Sequence, residues 1–555
     1  MGCVITFEAE EALAAAAVEL GAAQVAGWSE AEQGLADAAG AGPARVGQLR
    51  DQILAGEDPL GDAFCRLRDP ARRRPAGQTF TPGQVVQSMV GWAARRVTPA
   101  RVVDPGTGSA RFLLAAGRRW PHAALVGVET DPLAAMIGRA ALAAAGMARR
   151  ASITVGDYRS LDLAPAAGPT LFLGNPPYVR HHQIPAQWKH WLRSAAAGRG
   201  LTGSGLAGMH VHFFLATALH AVPGDAGVLV TAAEWLDVNY GSLVRSLLLG
   251  PLGGQSVHLL DPAVPAFADA AATAAIACFQ PGSRPDSLRL RPVARLGDLG
   301  ELSGGAAVPV PVLRAASRWT PLVGRATGPA TRRAPLPTAW RTPLPAGHVE
   351  LGELCRVHRG QVTGANQVWI TAGNPAGLPG RFLFPAVTRA SELFRARDTL
   401  PTTAGLRFVI DLPADLAELA QAELAPVTRF LARAEAAGAA GSYIASHRTP
   451  WWRVRLRAPA PILATYMARR PPAFVRNLAG ARHVNIAHGL YPREPLPPAA
   501  LDGLAAFLRR SVSPGQGRTY AGGLTKFEPG EMERLPVPAP GLLPACAEAA
   551  RSAPG

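Results

Sequence analysis

From about residue 78 to 280, short apolar runs alternate with longer alanine- and leucine-rich stretches of helical spacing. "ARVVDPGTGS" reads as a strand entering a turn, "ARFLLAAGRRW" as a helix and "AALVGVETDP" as a second strand. "LAAMIGRAALAAAGM" follows as helix, then "ASITVGD" and "PTLFLGNPP" as strands, "HFFLATALHAV" as helix and "AGVLVTAAEWL" as strand, and "TAAIACFQ" closes the block. This alternation predicts an α/β fold, a doubly wound parallel sheet with helices on both faces. Ahead of it, residues 7–60 place Ala and Glu at helical spacing and predict two or three helices, ended by the basic "RDPARRRPAG". Beyond it, 281–345 is rich in Pro, Gly and Arg with little periodicity, which predicts a connection with a few short strands. The expected organisation is a helical segment over 1–75, an α/β domain over 76–280, a connecting region over 281–345 and a second, more irregular domain over 346–555.

Size and composition narrow the class. A chain of 555 residues exceeds one ordinary core, and 48% hydrophobic content excludes a disordered chain. No run approaches the roughly 18 uncharged apolar residues of a membrane span, and the N-terminus lacks a basic flank for secretion. Gly2 and Thr6 fit a myristoylation pattern, but nothing basic follows to supply a second anchor. The five cysteines (Cys3, Cys65, Cys278, Cys355, Cys546) lie far apart, with no Cys or His spacing suited to a metal. A cytoplasmic protein with no metal and no membrane partner is expected. The net charge of +16 fits a polyanionic partner and an arginine-rich proteome equally.

The candidate chemistry sits at the strand ends. In "VVDPGTGSARF" an acid and two glycines occupy the first strand-to-helix turn, where the missing Cβ atoms let a ligand press against the backbone. A dinucleotide fingerprint would place a third glycine three residues after Gly108, where Arg111 stands. Asp104 precedes Gly106 and Gly108 and suits a ligand carrying an ammonium group, such as S-adenosylmethionine (SAM). The next strand ends on Glu129 and Asp131, placed to accept from a ribose diol, and a third ends at Asp157, near where an adenine ring would lie. The fourth ends in "GNPPYVR". The lone pair of an exocyclic amine is delocalised into its ring, so the nitrogen is a poor nucleophile. Two acceptors taking its N–H groups favour a tetrahedral nitrogen and return density to it. The Asn175 side-chain oxygen and the Pro176 carbonyl are such acceptors, Pro176 and Pro177 hold them rigid, and Tyr178 offers a face for a base to stack on.

With these motifs the sequence resembles the adenine-N6 DNA methyltransferases in which the SAM turn precedes NPPY, the group of the TaqI modification enzyme. "FTPGQVVQSMV" resembles that family's leading motif, which implies that Thr81 borders the cofactor. "AFADAAATAAIACF" resembles its late hairpin, which implies that Phe267 stacks on the second face of a flipped base. The resemblance implies a Rossmann-like SAM-dependent catalytic domain and a mixed α/β target-recognition domain at the C-terminus. In the latter, "HRTPWWRVR" sets arginines around two tryptophans. Arg448, Trp451, Arg453 and, further on, Lys526 are expected at duplex DNA. The implied activity is transfer of a methyl group from SAM to adenine N6 in duplex DNA, with Asn175 also at the cofactor. Such an enzyme acts with a separate cognate restriction endonuclease or as an orphan. A methyltransferase for protein glutamine or RNA would share residues 78–280, and a specificity module without catalysis would share the basic region; both readings stay open at this stage.

Overall fold

The computed structural model describes residues 7–40, 46–69, 73, 77, 80–261, 273–300, 302, 304–325, 344–468, 470–513, 516–520 and 524–546. The chain divides into two compact units, Met1–Trp340 and Arg341–Gly555.

The first unit is built on a nine-stranded sheet. In chain order its strands are β1 (Arg101–Asp104), β2 (Ala124–Glu129), β3 (Ala151–Val155), β4 (Thr170–Gly174), β5 (Ala226–Ala232), β6 (Gly254–Leu260), β7 (Ala274–Phe279), β8 (Ser287–Val293) and β9 (Ala306–Pro309). Their spatial order is β3-β2-β1-β4-β5-β7-β6-β8-β9. From β3 to β5 all pairings are parallel, as the alternation predicts. Beyond β5 the sheet turns mixed, with β7 antiparallel to both β5 and β6 and β9 antiparallel to β8. The segment 281–325 is therefore more than a connection. Its "SLRLRPV" pairs in parallel with β6, burying Leu288 and Leu290, so the sheet continues past the expected boundary at 280.

Strand order reverses between β1 and β4, and a crevice opens at such a point beyond the carboxyl ends of the two strands. Both strands are buried on both faces. Val102 packs among Val85, Met89 and Leu113 on one side, and Val103 among Tyr158, Phe172 and Phe213 on the other.

Among its described residues the N-terminal segment has the α-helices α1 (Glu10–Glu19), α2 (Glu30–Ala38), α3 (Val46–Ala55) and α4 (Pro59–Leu67). They cover α7 (Pro132–Ala144), the helix after β2; α5 (Gly83–Ala94) and α6 (Arg111–Arg119) precede it. With its outer face so covered, α7 buries nearly every side chain, Arg139 included. Arg139 Nε donates to Glu32 Oε1 at 2.6 Å, and its other nitrogens donate to the carbonyls of Val25, Ala26, Gly27 and Ile153. Ser29 and Glu32 form a reciprocal cap at the start of α2, so one glutamate both begins a helix and neutralises a buried arginine. Ala26 pairs with β3, its N–H donating to Ala151 O and its carbonyl accepting from Ile153 N, which closes an otherwise bare sheet edge.

The second unit holds a five-stranded sheet in the order Cys355–Arg359, Ala487–Pro492, Ile462–Thr465, Phe474–Asn477, Thr399–Leu400. A four-stranded sheet runs Ile370–Thr371, Arg407–Ile410, Leu383–Val387, Arg482–His483. The helix Pro498–Ser511 packs Leu504 and Leu508 on the first, and Gln421–Ala436 packs Val427 and Phe430 on the second. Among the described residues of both units, no helix is long and apolar enough to cross a membrane.

Candidate active site

At the β1/β4 reversal lies a crevice with a cavity volume of about 120 Å³. Its floor is the glycine turn. Gly106 N–H donates to Asp104 Oδ1 at 3.3 Å, Thr107 N–H to Val128 O at 3.0 Å, and Gly108 N–H to Glu129 Oε2 at 2.9 Å. Gly108 adopts φ +51°, a left-handed conformation that a side chain would strain.

Thr81, Gly106, Gly108, Glu129, Asp157, Asn175 and Pro177 all line the crevice, together with Phe80, Met209 and Phe213. Two of the expected acids depart from it. Asp131 caps α7, its Oδ1 accepting from Leu133 and Ala134 N–H at 3.0 and 3.1 Å, and its Oδ2 pairs with Arg68. Its position just before Pro132 makes it a helix cap. Asp104 lies beneath the turn, fully buried, and not in the crevice wall. Burial pushes its carboxyl up to about 8, opposed by the Gly106 N–H and helped by nearby Glu129. Its Oδ2 has no hydrogen-bond partner among the described residues. Mostly protonated near neutral pH, this buried carboxyl under two glycines would be drawn to its carboxylate form by a cation arriving above it, as the ammonium of SAM would. Glu129 also titrates upward through burial, while its oxygens accept from the N–H groups of Gly108, Thr130 and Asp131. Asp157 is held by Arg159, whose Nε and Nη2 reach its two oxygens at 2.8 and 2.5 Å. Arg159 in turn lies 3.8 Å over the Trp188 ring.

The NPPY segment leaves β4 at the crevice. Asn175 is 8% exposed, and its amide nitrogen donates to Thr81 Oγ1 at 3.1 Å. The carboxamide is planar, so this bond turns Oδ1 away from Thr81. Gly77 braces the loop from outside, its carbonyl accepting from Tyr178 N–H at 3.3 Å. At φ +67° and with any Cβ landing 2.5 Å from Tyr178 N, position 77 admits only glycine without displacing the loop. Tyr178 is half-buried and burial raises its phenol well above the ordinary value; neither it nor Pro176 lines the crevice itself. Phe267 lies outside the described residues. The helix Met209–His220 turns its Met209 and Phe213 to the crevice. Among the described residues no group of His, Cys, Asp and Glu is placed to hold a metal.

In the second unit the expected DNA contacts separate. Arg448 is spent internally, its guanidinium donating to the carbonyls of Val362 and Thr363, and burial lowers its pKa. Trp451 packs edge-on against Trp369 and Trp452 in the core of that unit. Lys526 pairs with Glu528. Of the four, Arg453 faces open space, in a groove it lines with Arg381, Arg455, Arg457, Gln361 and Phe384. Asp411 fixes that segment by accepting from Arg455 and Leu456 N–H at 2.9 and 2.8 Å, and holds Arg455 at φ +62°. Val454 turns inward while arginines 453, 455 and 457 line the groove together with the half-buried Leu456. Arg457 also lines an adjoining groove with Arg356, His358 and Arg493.

Comparison with known proteins bears on both units. Residues 346–552 match the family model described as the C-terminal domain of the type II methyltransferase M.Eco57I. The chain is 50% identical over 498 residues to the type II methyltransferase M.XamI of Xanthomonas campestris pv. amaranthicola, covering 89% of this chain and 91% of the relative. It is 33% identical over 154 residues to a release factor glutamine methyltransferase of Rhodospirillum rubrum, 27% of this chain and 46% of that one. A structure of the type IIL restriction-modification enzyme MmeI in complex with DNA shares the fold, with a TM-score of 0.58 and 13% identity over 94% of this chain and 75% of that chain.

Proposed function

This chain belongs to the type II DNA methyltransferases of restriction-modification systems, and on that premise we propose that it methylates the N6 amine of an adenine swung out of duplex DNA. The observation that carries this reading is the Asn175 carboxamide, held by Thr81 at the carboxyl end of β4, beside the cofactor crevice. SAM, when bound, supplies an electrophilic methyl group on a sulfonium. Gly106, Gly108, Glu129 and Asp157 would hold it against the turn, with Asp104 beneath to balance its ammonium.

The chain's residues do the remaining work. Swinging the adenine out costs a few kcal/mol of pairing and stacking, and stacking on Tyr178 offsets about 1–3 kcal/mol of it. Asn175 Oδ1 and the Pro176 carbonyl accept the two amine hydrogens, so the nitrogen lone pair points at the methyl. The proton of the methylated amine leaves to water. The amide of a protein glutamine poses a similar electronic problem, which fits the likeness of 154 residues of the chain to a release factor glutamine methyltransferase. The likeness to a DNA methyltransferase along both units favours DNA over protein or RNA. The partner we propose beyond DNA is a separate cognate endonuclease.

Tritiated SAM offered with DNA, protein and RNA from a methylation-deficient host tests this reading. Label is expected in DNA alone and, after digestion, in N6-methyladenine; label in cytosine or in protein would overturn it.

The arginine groove is the surface we assign to DNA phosphates. Replacing Arg453 and Arg457 by glutamine should weaken duplex binding irrespective of sequence. It should also flatten the plot of log affinity against log salt by roughly 0.9 for each phosphate that no longer meets an arginine. An unchanged slope would place the phosphates on another surface.

A further inference from the structure

We propose that Thr81 is a positioning residue for Asn175, and that Asp58, from the N-terminal helical segment, sets Thr81 through Arg111. This rests on the reading of Asn175 as an acceptor of the target amine, and departs from the expectation that Thr81 serves the cofactor.

The links are all buried or half-buried. Asp58 begins α4, its Oδ1 accepting from Gly61 N–H at 2.9 Å. Its Oδ2 accepts from Ser109 Oγ and from Arg111 Nε, both at 2.5 Å. Arg111 Nη1 then donates to the Thr81 carbonyl at 2.9 Å, and its guanidinium lies 5.4 Å over the Phe80 ring. Thr81, 3% exposed, accepts from the Asn175 amide. Arg111 stands where a dinucleotide site would carry glycine; here that side chain leaves the turn to hold the segment before α5.

The consequence concerns one torsion. A carboxamide presents oxygen or nitrogen to the same place after a half-turn about its last side-chain bond. Nitrogen in that place would oppose the amine hydrogens instead of accepting them. Thr81 Oγ1 accepts from the nitrogen and so fixes the position and plane of the carboxamide, with Arg111 and Asp58 keeping that hydroxyl from drifting. Misplacement of a reacting group by about 1 Å can cost of the order of a hundredfold in rate.

The test is steady-state methylation of duplex DNA from a methylation-deficient host, with SAM affinity measured by calorimetry on the same preparations. Thr81→Val, which keeps shape and loses the hydroxyl, is expected to lower kcat by about 10- to 100-fold while SAM affinity changes by less than about threefold. Thr81→Ser should restore most of the rate. Asp58→Asn, which retains a helix cap, should lower kcat in the same direction, and its effect should fall short of multiplying with that of Thr81→Val, since both act through one hydroxyl. A Thr81→Val enzyme losing SAM affinity as much as rate would make Thr81 a cofactor ligand and overturn the proposal. So would an unchanged kcat, a serine variant without rescue, or fully multiplicative effects. Full activity in Asn175→Ala would instead overturn the acceptor reading itself; an inactive Asn175→Ala beside a fully active Thr81→Val sinks only the positioning role.

Discussion

Replacing Asn175 by alanine is expected to remove methyl transfer while leaving SAM binding nearly intact. The acceptor is needed most when the amine nitrogen becomes tetrahedral, so its loss falls on kcat and little on ground-state binding. Removal of a single preorganised hydrogen-bonding group from a reacting centre costs roughly two to three orders of magnitude elsewhere, and a loss of that size is expected here. Asn175 reaches Thr81 through its nitrogen and meets the crevice at its edge, so deleting its side chain need not disturb the glycine turn where the cofactor lies. Single-turnover methylation separates the chemical step from product release, and calorimetry reads the cofactor. A comparable fall in SAM affinity would assign Asn175 to the cofactor and not to the base.

Glu32→Ala is expected to lower stability by about 3–5 kcal/mol, the usual consequence of stranding one member of a buried ion pair. Glu32 and Arg139 have side chains wholly shielded from solvent, 2.6 Å apart. Without the carboxylate, a guanidinium would sit among carbonyls with no counter-charge. The four carbonyls that Arg139 also serves soften that loss but supply no formal charge. Urea unfolding followed by tryptophan fluorescence measures the effect. The double replacement Glu32→Leu with Arg139→Met should regain much of it, because two apolar side chains need no partner. A single variant less than about 1 kcal/mol below the parent would show that water reaches the site.

The strand ends carrying the crevice were legible because each is a local statement: an apolar run, then an acid, glycine or proline that must stop it. "DPGTGS" and "NPPY" needed no partner elsewhere to be understood. What escaped reading depends on distant partners. Asp131 is chemically fit for a ribose, yet the N–H groups of the helix it begins take it first. Arg448 sits in the most arginine- and tryptophan-rich stretch, but its direction is decided by carbonyls at 362 and 363, which no spacing rule connects to it. In the same stretch Arg453, one of the expected residues, does line a groove, with Arg455 and Arg457 beside it. Residues 287–309 carry strand-like alternation too, and only their pairing with β6 makes them part of the sheet. Asp58 followed by Pro59 is readable as a helix start, whereas its grip on Ser109 and Arg111 is not.

The pairing of Ala26 with β3, and of Glu32 with Arg139, has a meaning for how the molecule comes to exist. Residues 26 and 32 are translated well before positions 139 and 151–153, which secure them. The earliest helices must wait on the growing chain with their inner faces uncovered until β3 has been made. Residues 26–32 are thus anchored only once the strand they border has been translated.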